Sequence, residues 1–104
     1  MDLIDLLIVE DNARLRPALA EGFNATGAAR VVGAYDTGEA ALEASLAEPP
    51  AAILMDAQLA GRMNGIEAAV AIRRELPRMP VVFYSIQDDD AYYRDFLAAG
   101  ILTH

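Results

Sequence analysis

Short apolar runs alternate along the chain with longer segments of helical character. The apolar runs, rich in β-branched residues, predict four strands: Leu3–Val9, Arg30–Tyr35, Ala51–Met55 and Pro80–Tyr84. The segments after them predict four helices: residues 12–25, from the N-cap Thr37 to about Leu46, Gly65–Leu76, and a last helix that begins at Asp88. Because the strand runs are continuously apolar, they are typical of parallel strands that are covered on both faces.

The length of the chain predicts a single domain over residues 1–104, and the order of its elements predicts the fold. Strands and helices alternate, and each helical crossover is long enough for a right-handed βαβ unit. Pro77 ends the third helix, and Gly100 is placed at the C′ position of the fourth. The predicted fold class is therefore α/β, an open parallel sheet with helices on both sides.

Acidic residues and a hydroxyl stand at the ends of the predicted strands. Glu10 and Asp11 come directly after the first strand, Asp56 after the third, and Ser85 after the fourth. In open α/β sheets, ligands bind outside the carboxyl ends of the strands. We therefore expect these side chains to converge. The alternative is that the acids are only helix caps and solvated turn residues.

Converging carboxylates predict a bound cation. Two carboxylates about 4 Å apart repel by about 4 kcal/mol at an effective dielectric of about 20, and either protonation or a bound cation would relieve this repulsion. So few oxygen ligands favour Mg²⁺ over Ca²⁺, and transition metals would need His or Cys. The chain has no cysteine, and its single histidine is His104. A carboxylate beside Mg²⁺ can attack phosphorus, so Asp56 is a candidate phosphoryl acceptor, and the Ser85 hydroxyl could hydrogen-bond a phosphoryl oxygen.

The composition narrows the classes of partner. With 55% hydrophobic and 23% charged residues, the chain is globular rather than disordered. Its net charge of −8 disfavours direct contact of this domain with nucleic acid. No apolar stretch approaches the roughly 18 residues that span a bilayer, and the start lacks the basic region of a signal peptide. We therefore expect a cytoplasmic protein without membrane contact.

These residues together resemble the receiver domain of two-component response regulators, over essentially the whole chain. Glu10-Asp11 match the acidic pair of that family, Asp56 matches its phosphoacceptor, and Ser85 matches the hydroxyl residue after its fourth strand. The resemblance implies a flavodoxin-like receiver topology. It also implies a signalling switch that catalyses its own phosphorylation rather than a conventional enzyme. The donor would be the phosphohistidine of a histidine kinase or of a phosphotransfer protein.

The resemblance further implies how Mg²⁺ is held and how the chain ends. Asp11 and Asp56 would bind the ion directly, Glu10 through water, and Gln58 through its backbone carbonyl. His104 stands where the family has a switch aromatic, and the family's lysine would come later still. The fifth strand and fifth helix are therefore expected to be missing. An unpaired fourth strand would recruit a second copy, so a homodimer is one expected assembly.

Departures from the family pattern leave alternative functions open. Leu59-Ala60 replaces the usual Met-Pro, and Ile86 stands where a small residue is usual, crowding access to the phosphoryl site. A pseudo-receiver, which uses the same fold only to bind proteins, would fit Ile86 and the absent lysine. A magnesium phosphohydrolase would need a second acid where Gln58 stands. Nucleotide binding is disfavoured because neither a GxGxxG nor a Walker-type loop is present.

Overall fold

The structure is a computed structural model, and it describes residues 3–59 and 61–85 of the chain. In these residues it contains β1 (Ile4–Val9), α1 (Leu15–Ala25), β2 (Ala29–Tyr35), α2 (Gly38–Ala47), β3 (Ala52–Asp56), α3 (Gly65–Glu75) and β4 (Val81–Tyr84). The elements predicted in this part of the chain are all present and of the predicted type. The predicted fourth helix with Gly100, and the positions Ile86 and His104, lie outside the described residues.

The strands form a parallel sheet in the order β2-β1-β3-β4. Strand β1 lies between β2 and β3, so the ends of the first and third strands are neighbours. Helices α2 and α3 pack together, and α1 packs against β1 and β2. The connection from β1 to β2 runs in one direction along the sheet, whereas those from β2 to β3 and from β3 to β4 run in the other. Right-handed crossovers therefore put α1 on the face opposite to α2 and α3. The predicted open parallel sheet of flavodoxin-like topology is confirmed.

The core lies between the sheet and the helices α2 and α3. Alternate residues of the two central strands fill it: Leu7, Val9, Ile53 and Met55. Small residues let the two helices approach each other, since a β-carbon added to Gly38 would stand 2.8 Å from the Cβ atom of Ala68. Full burial of an aliphatic side chain contributes about 1.5–3 kcal/mol, so this layer fixes the ends of β1 and β3 relative to each other.

Among the element boundaries that differ from the predicted ones, two have clear local reasons. Helix α1 begins at Leu15 rather than near residue 12. The side-chain oxygen of Asn12 instead accepts hydrogen bonds from the N–H groups of Arg14 and Leu15, at 2.9 Å each, in the turn before the helix. Strand β3 continues through Asp56 rather than stopping at Met55. The carboxylate therefore belongs to the last residue of a central strand.

Strand β2 slips by one residue against β1. The register shifts between Leu6 and Leu7, where Val32 is the extra residue of β2. A shift of one residue reverses which face a side chain meets, so Val31 shares the α1 face with Leu6. Tyr35, beyond the shift, packs against the core under α2 and α3. Alternate residues of β2 are exposed, so the expectation of cover on both faces is wrong for this strand.

Helix α2 carries two hydroxyls whose removal should have opposite effects. The Thr37 hydroxyl caps the helix by accepting a hydrogen bond from the N–H of Ala40 at 3.1 Å. The Ser45 hydroxyl is fully buried and has no hydrogen-bond partner among the described residues. We expect Ser45→Ala to raise the free energy of unfolding by about 1 kcal/mol and Thr37→Ala to lower it by about 1 kcal/mol. Urea unfolding of both variants checks this, and a loss of stability in Ser45→Ala would reveal a partner such as buried water.

Candidate phosphoacceptor site

Three carboxylates meet at the carboxyl end of the sheet. Each of Glu10, Asp11 and Asp56 offers an oxygen, and these oxygens lie within 4.8 Å of one another. Glu10 and Asp56 are buried, with 3% and 7% of their surface exposed, whereas Asp11 is exposed. The predicted convergence of the acids is therefore present. Buried carboxylates in contact with each other are costly, so the arrangement is unlike that of solvated turn acids.

Hydrogen bonds to the end of β2 and to the region around the start of α1 hold Glu10 in place. Its N–H donates to the backbone oxygen of Tyr35 at 2.9 Å, which extends the β1–β2 pairing by one residue. Its carboxylate oxygen Oε2 accepts from the N–H of Asn12 at 2.9 Å. Its backbone oxygen accepts from the Arg16 guanidinium at 3.0 Å. The position of this side chain is therefore set by the end of β2 and by the start of α1.

Asp56 is held by the turn that follows it and by α3. Its Oδ1 atom accepts a hydrogen bond from the N–H of Gln58 at 2.9 Å. Gly65, the first residue of α3, packs directly on the backbone of Asp56 and Ala57. Leu59 is buried in the core and anchors the intervening loop. Leu59 thus holds the residues that follow Asp56 against the core, and the Asp56 carboxylate lies at the carboxyl end of the sheet.

The electrostatics of this site disfavour a charged Asp56. Burial raises the pKa of the Asp56 carboxyl from 3.8 to about 6. The N–H of Gln58 opposes that rise, while the negative charges of Glu10 and Asp11 add to it. The site therefore carries more negative charge than its own donors compensate, which is the condition under which a cation binds.

Tyr84 belongs to the same site, although sequence reasoning assigned it only to the apolar fourth strand. Its hydroxyl donates a hydrogen bond to Oε1 of Glu10. Burial, followed by this bond to Glu10, raises the pKa of the Tyr84 hydroxyl, which keeps its proton and remains a donor. Tyr84 pairs with Asp56 and so lies beside it at the end of the sheet, and the sequence showed only that it is the last residue of its apolar run.

The other predicted site residues lie at the same end of the sheet. Ser85 directly follows β4 and is half-buried, and Gln58 lies in the turn after Asp56. The carboxylate oxygens fit Mg²⁺ rather than a transition metal, because the group of three is made of hard oxygen ligands alone.

Comparison with known protein families decides the assignment. The model of the family described as "Response regulator receiver domain" matches residues 6–104. The chain belongs to the receiver domain family of response regulators. Two-component signalling is therefore the process in which this receiver takes part.

Curated relatives of this receiver are longer proteins. The transcriptional regulatory protein LiaR of Bacillus subtilis (strain 168) is 34% identical over 104 residues, which cover 98% of this chain and 48% of LiaR. The response regulator GacA of Pseudomonas viridiflava is 29% identical over 98 residues, which cover 94% of this chain and 45% of GacA. The chain thus spans about half the length of the curated relatives it matches.

Solved structures of receiver domains have the same fold. The signal receiver domain of NarL from Mycobacterium tuberculosis matches with a TM-score of 0.86 at 27% identity, covering 95% of this chain and 79% of that one. The response regulator domain of CheB from Thermotoga maritima matches with a TM-score of 0.83 at 29% identity, covering 95% and 74%. Separately, none of the helices in residues 3–59 and 61–85 combines the length and apolar character that a membrane span needs.

Proposed function

We propose that this receiver accepts a phosphoryl group on Asp56 and thereby switches its interactions with partner proteins. The observation that carries the proposal is the buried Asp56 carboxylate at the end of a central strand, with two further acids within 4.8 Å. A pure protein-binding module has no need of such a costly cluster. The features that would favour a pseudo-receiver, Ile86 and the region of His104, lie outside the described residues.

The reaction needs only the chain's own carboxylate as nucleophile. An oxygen of Asp56 attacks the phosphorus of a phosphohistidine, so that an O–P bond forms and the P–N bond breaks. The imidazole nitrogen leaves with the electron pair and takes up a proton. The Ser85 hydroxyl, which follows the neighbouring strand, donates a hydrogen bond to a phosphoryl oxygen in this proposal. The product is an aspartyl phosphate on residue 56.

Mg²⁺ completes the proposed site. Asp11 and Asp56 hold it directly, Glu10 through water, and the backbone carbonyl of Gln58 supplies a further ligand. When bound, Mg²⁺ offsets the negative charge of the carboxylates and of the incoming phosphoryl group. The raised pKa of Asp56 supports this assignment, because burial and its acidic neighbours leave its charge uncompensated.

The proposed partners follow from the family. Receiver domains interact with histidine kinases or phosphotransfer proteins and often dimerise, so either donor and a homodimer are proposed here. The net charge of −8 opposes contact between this chain and a phosphate backbone. That argument does not extend to longer regulators such as LiaR, whose name describes a transcriptional regulatory protein. A cytoplasmic location, usual for receiver domains, is part of the same proposal.

Phosphorylation by a small donor tests the proposal. Incubated with acetyl phosphate and Mg²⁺, the chain should gain the mass of one phosphate, and Asp56→Asn should abolish the gain. Asp36→Asn is the matched control, because Asp36 is an exposed acid at the end of β2 outside the cluster of three. Ser85→Ala should slow labelling by about tenfold or more, since one phosphoryl hydrogen bond is lost, while Asp56 remains the labelled residue. No labelling of the wild type would favour the pseudo-receiver, and labelling retained in Asp56→Asn would assign the acceptor elsewhere.

A further inference from the structure

Tyr84 of β4 contacts Glu10, which follows β1, across the intervening strand β3. Asp56 of β3 pairs with Tyr84 of β4, and Val9 of β1 pairs with Met55, the residue before Asp56. Glu10, the residue after Val9, therefore lies beside Asp56 on the side opposite to Tyr84, and the three residues form a row across the sheet. The three side chains thus start from neighbouring strands at the same level of the sheet. The Tyr84 hydroxyl spans β3 to reach Glu10, and Asp56 lies between them in the row.

Both carboxylate oxygens of Glu10 are occupied by donors of the protein. Oε1 accepts from the Tyr84 hydroxyl, and Oε2 accepts from the N–H of Asn12. A hydrogen bond from a hydroxyl to an ionised carboxylate is charge-assisted and stronger than one between neutral groups. In the metal-free protein, the hydroxyl therefore takes over part of the role that a cation has beside Glu10.

We propose that Tyr84 is a positioning residue that stabilises Glu10 in the metal-free receiver and so weakens the affinity of the acid cluster for Mg²⁺. This inference rests on the proposed function in one respect, namely that the cluster of Glu10, Asp11 and Asp56 is where Mg²⁺ binds. It goes beyond that function by naming a donor on β4 that sets the strength of binding.

The direction of the effect follows from competition for the same charge. Mg²⁺ held by the acid cluster would draw electron density from the Glu10 carboxylate, so the bond from the Tyr84 hydroxyl would be weaker with metal than without it. A hydrogen bond that is stronger in the metal-free state weakens Mg²⁺ binding, by the difference between its free energies in the metal-free and metal-bound states. Removing the hydroxyl should therefore destabilise the metal-free state more than the metal-bound state.

The experiment compares Tyr84→Phe with the wild type and with Tyr35→Phe. Tyr35→Phe removes a tyrosine hydroxyl at the end of β2, where the ring packs against the core on the other face of the sheet, and it keeps the backbone oxygen that accepts from the N–H of Glu10. Isothermal titration with Mg²⁺ should give about three- to tenfold tighter binding for Tyr84→Phe and no change for Tyr35→Phe. In EDTA, the Tm of Tyr84→Phe should fall by about 4–8 °C, and saturating Mg²⁺ should narrow the gap.

Each outcome bears on the inference in a definite way. If Tyr84→Phe folded only with Mg²⁺, the inference would be supported, because this is the largest form of the expected loss of stability in the metal-free state. Equal or weaker Mg²⁺ binding than in the wild type would overturn it, and so would failure to fold even in saturating Mg²⁺, since Tyr84 would then be a packing residue. Absence of Mg²⁺ binding in the wild type would overturn the magnesium site of the proposed function, and the inference with it. The wild-type titration thus separates that failure from a failure of the role of Tyr84 alone.

Discussion

Replacing Gly65 by alanine should lower the free energy of unfolding by about 3–5 kcal/mol. A β-carbon at this position would stand 2.0 Å from the backbone oxygen of Asp56 and 2.9 Å from the Cα atom of Ala57. Both are backbone atoms, so no side chain can rotate away, and α3 must separate from the end of β3. Domains of this kind have about 5–15 kcal/mol of stability in total, so the variant should lose a large share of it.

Gly22→Ala is the matched control for this change. Gly22 lies within α1, and a β-carbon added there would have nothing within 4 Å. The same substitution should therefore raise stability by about 0.5–1 kcal/mol, because alanine loses less conformational entropy in a helix. Urea unfolding followed by circular dichroism measures both variants. If Gly65→Ala were as stable as the wild type, α3 would not abut β3 as described, and the placement of Asp56 would fail with it.

The metal-free receiver should become more stable as the pH falls from 7 towards 4, and Asp56→Asn should remove this dependence. Burial raises the pKa of Asp56 to about 6 in the folded protein, whereas the unfolded chain titrates near its ordinary value of 3.8. Between these values the folded state binds more protons than the unfolded state, so stability increases with acidity. The contribution of the protonated group is fully present below about pH 4 and is lost as the pH rises through 6.

At pH 7, Asp56→Asn in EDTA should therefore gain about 1–3 kcal/mol of stability. Asp11→Asn should gain less, because Asp11 is exposed and its charge is the weakest of the causes that raise the pKa of Asp56. Saturating Mg²⁺ should stabilise the wild type and abolish the advantage of Asp56→Asn. Denaturant melts at pH 7 and pH 5, with and without Mg²⁺, measure all of these differences. Equal or lower metal-free stability in both variants would mean that the acids do not repel one another.

The pattern of apolar runs was sufficient to predict the sheet and the meeting of the acids. Continuous apolar runs that end at Glu10 and Asp56 indicate buried parallel strands, and parallel strands present their carboxyl ends at the same edge. The convergence then follows from topology alone, without knowledge of any side-chain contact. The role of Ser85 was argued from its place after the fourth strand and that of Gln58 from the family resemblance, and both stay predictions.

Details that depend on register and on single side chains were beyond the sequence. Nothing local distinguishes Tyr84 from any other aromatic residue in a strand, because its partner Glu10 is two strands away. The start of α1 was misplaced because Asn12 can either cap a helix or close a turn, and here its oxygen accepts from two N–H groups. The slip at Val32 was invisible in the sequence because residues 31–35 form a continuously apolar run, in which no alternation of apolar and polar residues marks a change of register.

Because of that slip, the two halves of the edge strand β2 pack on different helix layers, and they should separate from the domain in different local openings. Before Val32 the inward side chains of β2 meet the α1 layer, and after it they meet the layer of α2 and α3. Helix α1 has no fully buried residue, so it is the less firmly held layer of the described structure. A sub-global fluctuation that lifts α1 would loosen β2 near Val31 while Tyr35 stays packed. The backbone oxygen of Tyr35, which accepts from Glu10, would keep the acid cluster assembled through such an event.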